Sequence, residues 1–180
     1  TSGIRFFRTD CDNACVRICA ETLRSQNRAT AFQDEGIDLL TPEHLLAALH
    51  ALKITNLDID IDAKEVPIMD GSALEFYETI STVGTRELKK ELRPIIITEP
   101  LTVEDGDTMI LCLPSEETIF AYRLSYDNFI GHHFHSFNPK KDTFKTDIAP
   151  ARTYGFYKEV EALRKKGLAL GGSFDNAVVI

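Results

Sequence analysis

The sequence predicts an α+β fold, in which runs of strands and runs of helices follow one another along the chain. Residues 56–62 alternate strictly between polar and apolar side chains, which is typical of a strand with one solvent-exposed face. Residues 44–52 and 72–83 instead carry apolar side chains at helical spacing. Residues 102–113 contain two short apolar runs around Asp105-Gly106-Asp107, a sequence that favours a tight hairpin turn.

The first segment of the chain is predicted to begin with a strand at residues 4–8, followed by a turn at Thr9-Asp10. Residues 11–25 carry only a weak apolar stripe, which indicates a helical or irregular segment. On a helix, one face would carry three of the four cysteines, Cys11, Cys15 and Cys19. Their spacing matches no established zinc or iron–sulfur motif, so we interpret them as buried free thiols in a reducing compartment.

The helix at residues 44–52 begins with chemically informative residues. The hydroxyl of Thr41 can cap this helix, and Pro42 suits the first helical position. Glu43 and His44 lie side by side at its positive N-terminal end. Such a pair is either a general base beside a metal ligand or a solvated acid beside a packed histidine. These residues alone leave both interpretations open.

The later elements follow from the same kinds of pattern. Asp70 or Ser72 is expected to cap the helix at 72–83, and Gly71 to permit the bend before it, so we assign this turn a structural role. A charged link within residues 84–93 is a candidate domain boundary. Beyond it we predict a helix from about residue 155 to 166 and strands at 94–98, 119–126 and 177–180.

Length and composition exclude several classes of protein. The chain has 180 residues, enough for one ordinary domain, or for a small domain and part of another. Its formal charge of −8 and pI near 5.1 argue against a nucleic-acid partner, because phosphates attract basic surfaces. Without an apolar run of bilayer length or an N-terminal signal pattern, we expect a cytoplasmic protein with no integral membrane segment. The chain starts without methionine and stops within a predicted strand, so we expect a fragment of a longer protein.

Four separated blocks match one enzyme family in order and residues. They are Thr-Pro-Glu-His-Leu-Leu-Ala-Ala-Leu at 41–49, Glu-Val-Pro-Ile-Met-Asp-Gly-Ser-Ala at 65–73, Ala-Arg-Thr-Tyr-Gly-Phe at 151–156 and Gly-Leu-Ala-Leu-Gly-Gly-Ser-Phe-Asp-Asn-Ala at 167–177. Over most of its length the sequence therefore resembles the UDP-3-O-acyl-N-acetylglucosamine deacetylase (LpxC) family. The resemblance implies two α+β domains in a layered sandwich, with helices packed between outer sheets. We place a first domain, lacking its first strands, at 1–88, and the start of a second, C-terminally incomplete domain at 89–180.

The resemblance also implies an activity. Family members use Zn²⁺ to hydrolyse the N-acetyl group of UDP-3-O-(3-hydroxyacyl)-N-acetylglucosamine in lipid A biosynthesis. The expected partner is therefore a UDP-linked acylated amino sugar, and we expect a monomer. By the same resemblance Glu43 is the general base, His44 a zinc ligand and Thr153 an oxyanion donor. The passage for the acyl chain is implied to involve Tyr154, Gly172, Ser173 and Ala177.

From the residues alone, these assignments have simpler alternatives. A hydroxyl such as that of Thr153 more often caps the helix that follows it. The small residues between 171 and 177 would also serve a tight loop and a packed strand.

The sequence lacks three motifs of the family. These are the His-Lys-x-x-Asp-x-x-Gly-Asp motif that supplies the other zinc ligands, the general-acid histidine beyond it, and an early Gly-Leu-His-Ser/Thr-Gly block. Because catalytic zinc needs three protein ligands, we expect this chain to be inactive by itself, with the remaining ligands supplied by a C-terminal segment. We interpret His132, His133 and His135 as a surface cluster, since only alternate side chains of a strand converge.

Two other functions stay open at this stage. One is a truncated, non-catalytic homologue that serves as a binding or scaffold module. The other is a related amide hydrolase that acts on a different acylated sugar.

Overall fold

The computed structural model describes residues 2–26, 28–157, 159 and 171–180. Its helices are α1 (Glu43–Ala51), α2 (Leu74–Val83) and α3 (Phe144–Asp147). Its strands are β1 (Ile4–Arg8), β2 (Ala14–Arg17), β3 (Leu23–Arg24), β4 (Ala31–Asp34), β5 (Ile37–Leu40), β6 (Leu57–Ile61), β7 (Leu101–Asp105), β8 (Thr108–Cys112), β9 (Phe120–Ser125), β10 (His132–Phe137), β11 (Tyr154–Gly155) and β12 (Val178–Val179). These separate helices and small sheets confirm the predicted α+β class.

The chain divides into two compact units. Unit 1 comprises Thr1–Arg86 and Phe144–Ile180, and unit 2 comprises Glu87–Thr143. The first change of unit lies within two residues of the predicted boundary at 88/89. The assignment of residues 89–180 to a second domain stays a prediction.

The first sheet of unit 1 has the strand order β2-β1-β6, with β1 antiparallel to β2 and parallel to β6. Alternation places Phe6 and Val16, both fully buried, on its inner face. This confirms the predicted strands at 4–8 and 56–62. The helical or irregular interpretation of residues 11–25 is wrong for Ala14–Arg17, because the cross-strand contact of Val16 with Phe6 outweighs a weak helical stripe.

A second antiparallel sheet, β3-β4-β5, was not predicted. Strands β4 and β5 are joined by Glu35 and Gly36, both with positive φ, as a two-residue hairpin turn requires. Phe32 and Leu39 face each other across these strands and are buried. The sheet therefore contributes directly to the core of unit 1.

The two predicted helices of unit 1 are confirmed as α1 and α2, which pack against each other. Leu45 and Leu49 of α1 lie in one buried cluster with side chains of both sheets. Before α2, the Ser72 hydroxyl accepts a hydrogen bond from the N–H of Leu74 at 3.1 Å, although the N-cap of the helix is Ala73, which has no side-chain cap. The role predicted for Thr41 is wrong: its hydroxyl donates to a Glu65 carboxylate oxygen at 2.8 Å instead of capping α1.

The last part of unit 1 combines the short helix α3, which was not predicted, with the parallel strand pair β11–β12. Strand β12 lies within the predicted strand at 177–180. Most of the predicted helix at 155–166 lies outside the described residues.

Unit 2 contains two antiparallel hairpins, β7–β8 and β9–β10. The first turns at Gly106, whose φ is +56°, and confirms the predicted hairpin. Strand β9 confirms the strand predicted at 119–126. The strand predicted at 94–98 is wrong: these residues pair with no strand in the described part of the chain, and Ile95 is 92% exposed. Pro94 lacks a backbone N–H, and the apolar run has no sheet to join.

Candidate active site

Glu43 is the first residue of α1, where the helix dipole favours a negative charge. Its side chain is half-buried, and one carboxylate oxygen accepts a hydrogen bond from the backbone N–H of Thr30 at 3.2 Å. The loop between β3 and β4 therefore holds the carboxylate of the predicted general base. Sequence reasoning assigned no role to Thr30.

His44 follows on the same helix and is also half-buried. Within the described residues, no hydrogen bond or ion pair occupies its imidazole. Ala47 and Ala48, one turn further on, are small residues on the same helix face. The described residues bring no three side chains of histidine, cysteine, aspartate or glutamate together as a metal ligand set. His44 is thus suited to be one ligand of a metal, but these residues do not make a complete zinc site.

Thr153 lies at a junction of three chain segments. Its backbone N–H donates to the carbonyl oxygen of Gly71 at 2.7 Å, and its own carbonyl accepts from the N–H of Val178 at 2.9 Å. No hydrogen bond of its hydroxyl joins it to another described residue, and strand β11 follows it directly. The structure does not support Thr153 as a helix cap.

Gly71 makes this junction possible. Its φ is +85°, and a Cβ added to it would lie 2.1 Å from the carbonyl oxygen of Asn176 and 3.2 Å from Cγ2 of Thr153. Both the backbone conformation and the close approach require glycine. The structural role predicted for the turn at 70–72 therefore extends to packing against two distant segments.

Arg152 connects the same segments through its guanidinium. Its Nε donates to the carbonyl oxygen of Asp70 at 2.7 Å, and its Nη2 donates to that of Phe174 at 3.0 Å. Arg152 belongs to a block that identified the family, yet the sequence alone assigned it no role. Its position immediately before a predicted catalytic threonine was the one feature of the sequence that could have indicated a role for Arg152.

The predicted substrate-binding residues lie beside this junction. Gly172 and Ser173 are exposed, whereas Ala177 is half-buried next to β12. Parallel pairing places Tyr154 of β11 opposite Val178 of β12, one residue beyond Ala177. The structure thus places Tyr154 beside the end of the segment that carries Gly172, Ser173 and Ala177.

The Glu43–His44 pair and the Thr153 junction both belong to unit 1. Arg28, two residues before Thr30, forms an ion pair with Glu159, six residues after Thr153, at 2.7 Å. One short loop therefore contacts both the carboxylate at the start of α1 and the segment beyond β11.

Two histidines of the cluster at 132–135 bond groups of their own hairpin, and the three cysteines lie in separate elements. His132 bonds the Ser125 hydroxyl at 2.7 Å, and His133 bonds the Ile130 carbonyl oxygen at 2.8 Å. The cysteines are free, as predicted, but the prediction that these three thiols are buried is wrong. They lie, half-buried, in a 3₁₀ turn, a strand and a loop: Cys11, Cys15 and Cys19.

A carboxylate, an imidazole and a threonine hydroxyl, which are groups that hydrolases use, all belong to unit 1. A sequence model of the family UDP-3-O-acyl N-acetylglycosamine deacetylase (LpxC) matches residues 1–180. The chain belongs to this family, which confirms the resemblance in the sequence. In the described residues, no helix combines the length and hydropathy needed to cross a bilayer.

Curated relatives carry the same name, UDP-3-O-acyl-N-acetylglucosamine deacetylase. The protein of Leptospira biflexa serovar Patoc (strain Patoc 1 / Ames) is 48% identical over 157 residues, covering 87% of this chain and 52% of the relative. Those of Nautilia profundicola and Campylobacter fetus subsp. fetus are each 39% identical, covering 99% of this chain and 61% and 60% of the relatives. The chain thus spans about half to three fifths of the length of these relatives.

Proposed function

We propose that this chain is part of a zinc-dependent deacetylase that hydrolyses the N-acetyl group of UDP-3-O-(3-hydroxyacyl)-N-acetylglucosamine in lipid A biosynthesis. The main observation in support of the proposal is that distant blocks of the sequence meet at one junction in this member of the family. There Arg152 and Thr153 bond the turn at Asp70–Gly71, 82 residues away in the sequence. The proposal includes the cytoplasmic location and monomeric state expected from the sequence.

The roles of the residues follow from their surroundings. Glu43, held by the N–H of Thr30, is the proposed base that takes the proton of the attacking water. The Thr153 hydroxyl is the proposed donor to the developing oxyanion, since the backbone on both of its sides is anchored. His44 is proposed as one zinc ligand, with the remaining ligands in the part of the relatives that this chain does not span.

The proposed acyl passage follows the segment 171–177, which contacts the Thr153 junction through Phe174 and Asn176. Small side chains at Gly172, Ser173 and Ala177 leave room for an alkyl chain, and the half-exposed ring of Tyr154 offers apolar surface beside them. The reacting amide would then lie near Thr153 while the acyl chain extends along residues 171–177.

The assignment of Glu43 as the general base can be tested in the protein encoded by the complete reading frame that contains this sequence. Glu43→Ala is expected to lower turnover by about 10²–10⁴-fold, the usual contribution of a general base, with zinc content near that of the wild type. Glu75→Ala is the matched control, because Glu75 also lies in the first turn of a helix but is exposed. Undiminished turnover in Glu43→Ala would sink the base assignment.

Elemental analysis of the same protein tests the metal ligand. His44→Ala is expected to lose zinc, whereas His50→Ala, which changes the other histidine of α1, should retain it. Full zinc content in His44→Ala would refute the ligand role. A wild-type protein that removes no acetyl group would refute the proposed activity and favour the non-catalytic homologue.

A further inference from the structure

We propose that Arg152 is a positioning residue that holds the segment 171–177 in place and thereby sets the affinity for the acyl chain of the substrate. This inference rests on the proposed function, because the acyl-binding role of that segment does. Arg152 itself touches neither the reacting amide nor the water in this assignment.

The guanidinium of Arg152 spans two pieces of backbone. It is half-buried and donates to the carbonyl oxygens of Asp70 and Phe174, at 2.7 and 3.0 Å. Because both acceptors are main-chain groups, the contact fixes the position of the backbone rather than of one side chain. A planar guanidinium with several fixed donors is suited to this, whereas the single ammonium of lysine is not.

Segment 171–177 has mainly local hydrogen bonds of its own. The N–H of Ser173 donates to the side-chain oxygen of Asn176 at 2.8 Å, and the N–H groups of Asn176 and Ala177 donate to the Ser173 carbonyl. These bonds shape a turn but do not attach it to the fold. The bond from Arg152 to Phe174 attaches the exposed tip of that turn to the structure near Gly71.

Thr153 is anchored independently of the Arg152 side chain. Its two backbone hydrogen bonds, to Gly71 and Val178, do not involve the guanidinium. Loss of the guanidinium is therefore expected to loosen the acyl-lining segment more than the proposed oxyanion donor. In kinetic terms, binding remote from the reacting bond should weaken while the chemical step is largely retained.

Steady-state kinetics on the product of the complete reading frame test this division. With a long-chain acyl substrate, Arg152→Lys is expected to raise KM about tenfold and to leave kcat within about threefold of wild type. With a short-acyl analogue, which does not reach the segment, KM should equal that of the wild type. The matched control is Arg5→Lys, which loses an exposed bidentate pair with Asp58 on the outer face of the first sheet.

Three outcomes would overturn the inference: an unchanged KM for the long substrate, a fall in kcat at constant KM, or an equal KM increase for both substrates. Hydrogen exchange gives a readout that is independent of activity. Amides of residues 173–178 should exchange faster in Arg152→Lys, while amides of β1 and β6 keep their protection. Uniform loss of protection would make Arg152 a general structural residue and refute the positioning role. Absent activity in the wild type would instead refute the proposed function, while the exchange measurement still decides whether Arg152 holds the segment.

Discussion

The two compact units of this chain use their apolar side chains in opposite ways. In unit 1, Phe6, Leu39 and Leu49 are completely inaccessible to solvent. In unit 2, Val103 is 68% and Phe134 69% exposed, although their strands pair in register. Strand pairing satisfies the backbone in both units, but burial of apolar side chains supplies most of the favourable free energy of folding. Unit 1 is thus expected to be the stable part of the chain.

The difference in burial follows from the presence of helices in unit 1 and their absence from the described residues of unit 2. In unit 1, α1 packs its leucines against both sheets. The described residues of unit 2 form no helix that could cover its two-stranded hairpins. Isolated two-stranded hairpins are marginally stable in water. All residues proposed for the active site lie in unit 1.

The largest effect expected is that of a core leucine. Leu49→Ala in unit 1 should lower the free energy of unfolding by about 3–5 kcal/mol, because it removes buried methyl groups and leaves a cavity. Leu111→Ala on β8, where Leu111 is 48% exposed, should cost no more than about 0.5 kcal/mol. Urea unfolding followed by circular dichroism measures both. Equal costs would mean that unit 2 has a core of its own in solution.

A pair of glycines gives the next largest effect. Gly71→Ala should cost roughly 2–5 kcal/mol, the sum of left-handed strain and overpacking against Asn176. Gly106→Ala, at a positive φ in the hairpin of unit 2, meets open space and should cost only the strain of about 1–2 kcal/mol. Thermal unfolding of the two variants measures and compares these two losses of stability. If Gly106→Ala lowered the free energy of unfolding more than Gly71→Ala, close packing of Gly71 at the Thr153 junction would not contribute the expected extra cost.

The smallest effect expected is the pH dependence of a buried carboxylate. Bidentate hydrogen bonds from Arg17 lower the pKa of Asp34 below its ordinary value of about 4. A lowered folded pKa contributes stability above the unfolded pKa, and this contribution disappears as the pH falls through the folded value. The stability advantage of wild type over Asp34→Asn should therefore shrink as the pH falls below about 4.

The matching contact in unit 2 is the ion pair of Glu117 with Lys141, 3.3 Å apart, in which the lysine side chain is 68% exposed. Pairs near the surface contribute little, and a glutamine oxygen can still accept the hydrogen bond that Asn138 donates to Glu117, so Glu117→Gln should leave the urea midpoint nearly unchanged at any pH. Midpoints measured between about pH 2 and 7 compare the two substitutions. A pH-independent difference between wild type and Asp34→Asn would contradict the role of the Arg17 bonds.

The sequence by itself determined the elements with strong local patterns. The alternation at 56–62, the leucine stripe of α1 and the Asp-Gly turn of the first hairpin each depend on neighbours in the chain, and each was predicted. The four family blocks likewise identified the family and the candidate residues without any structure. These features are local, so a single stretch of residues is sufficient to specify them.

Tertiary structure decided what local pattern could not. Val16 is in a strand because Phe6 lies opposite it, and residues 94–98 are not, because no strand lies beside them. The supports of the site were missed for the same reason. The N–H of Thr30 bonds Glu43 across 13 residues, and the guanidinium of Arg152 bonds Asp70 across 82. Such contacts depend on how distant segments pack, and no periodicity along the chain records them.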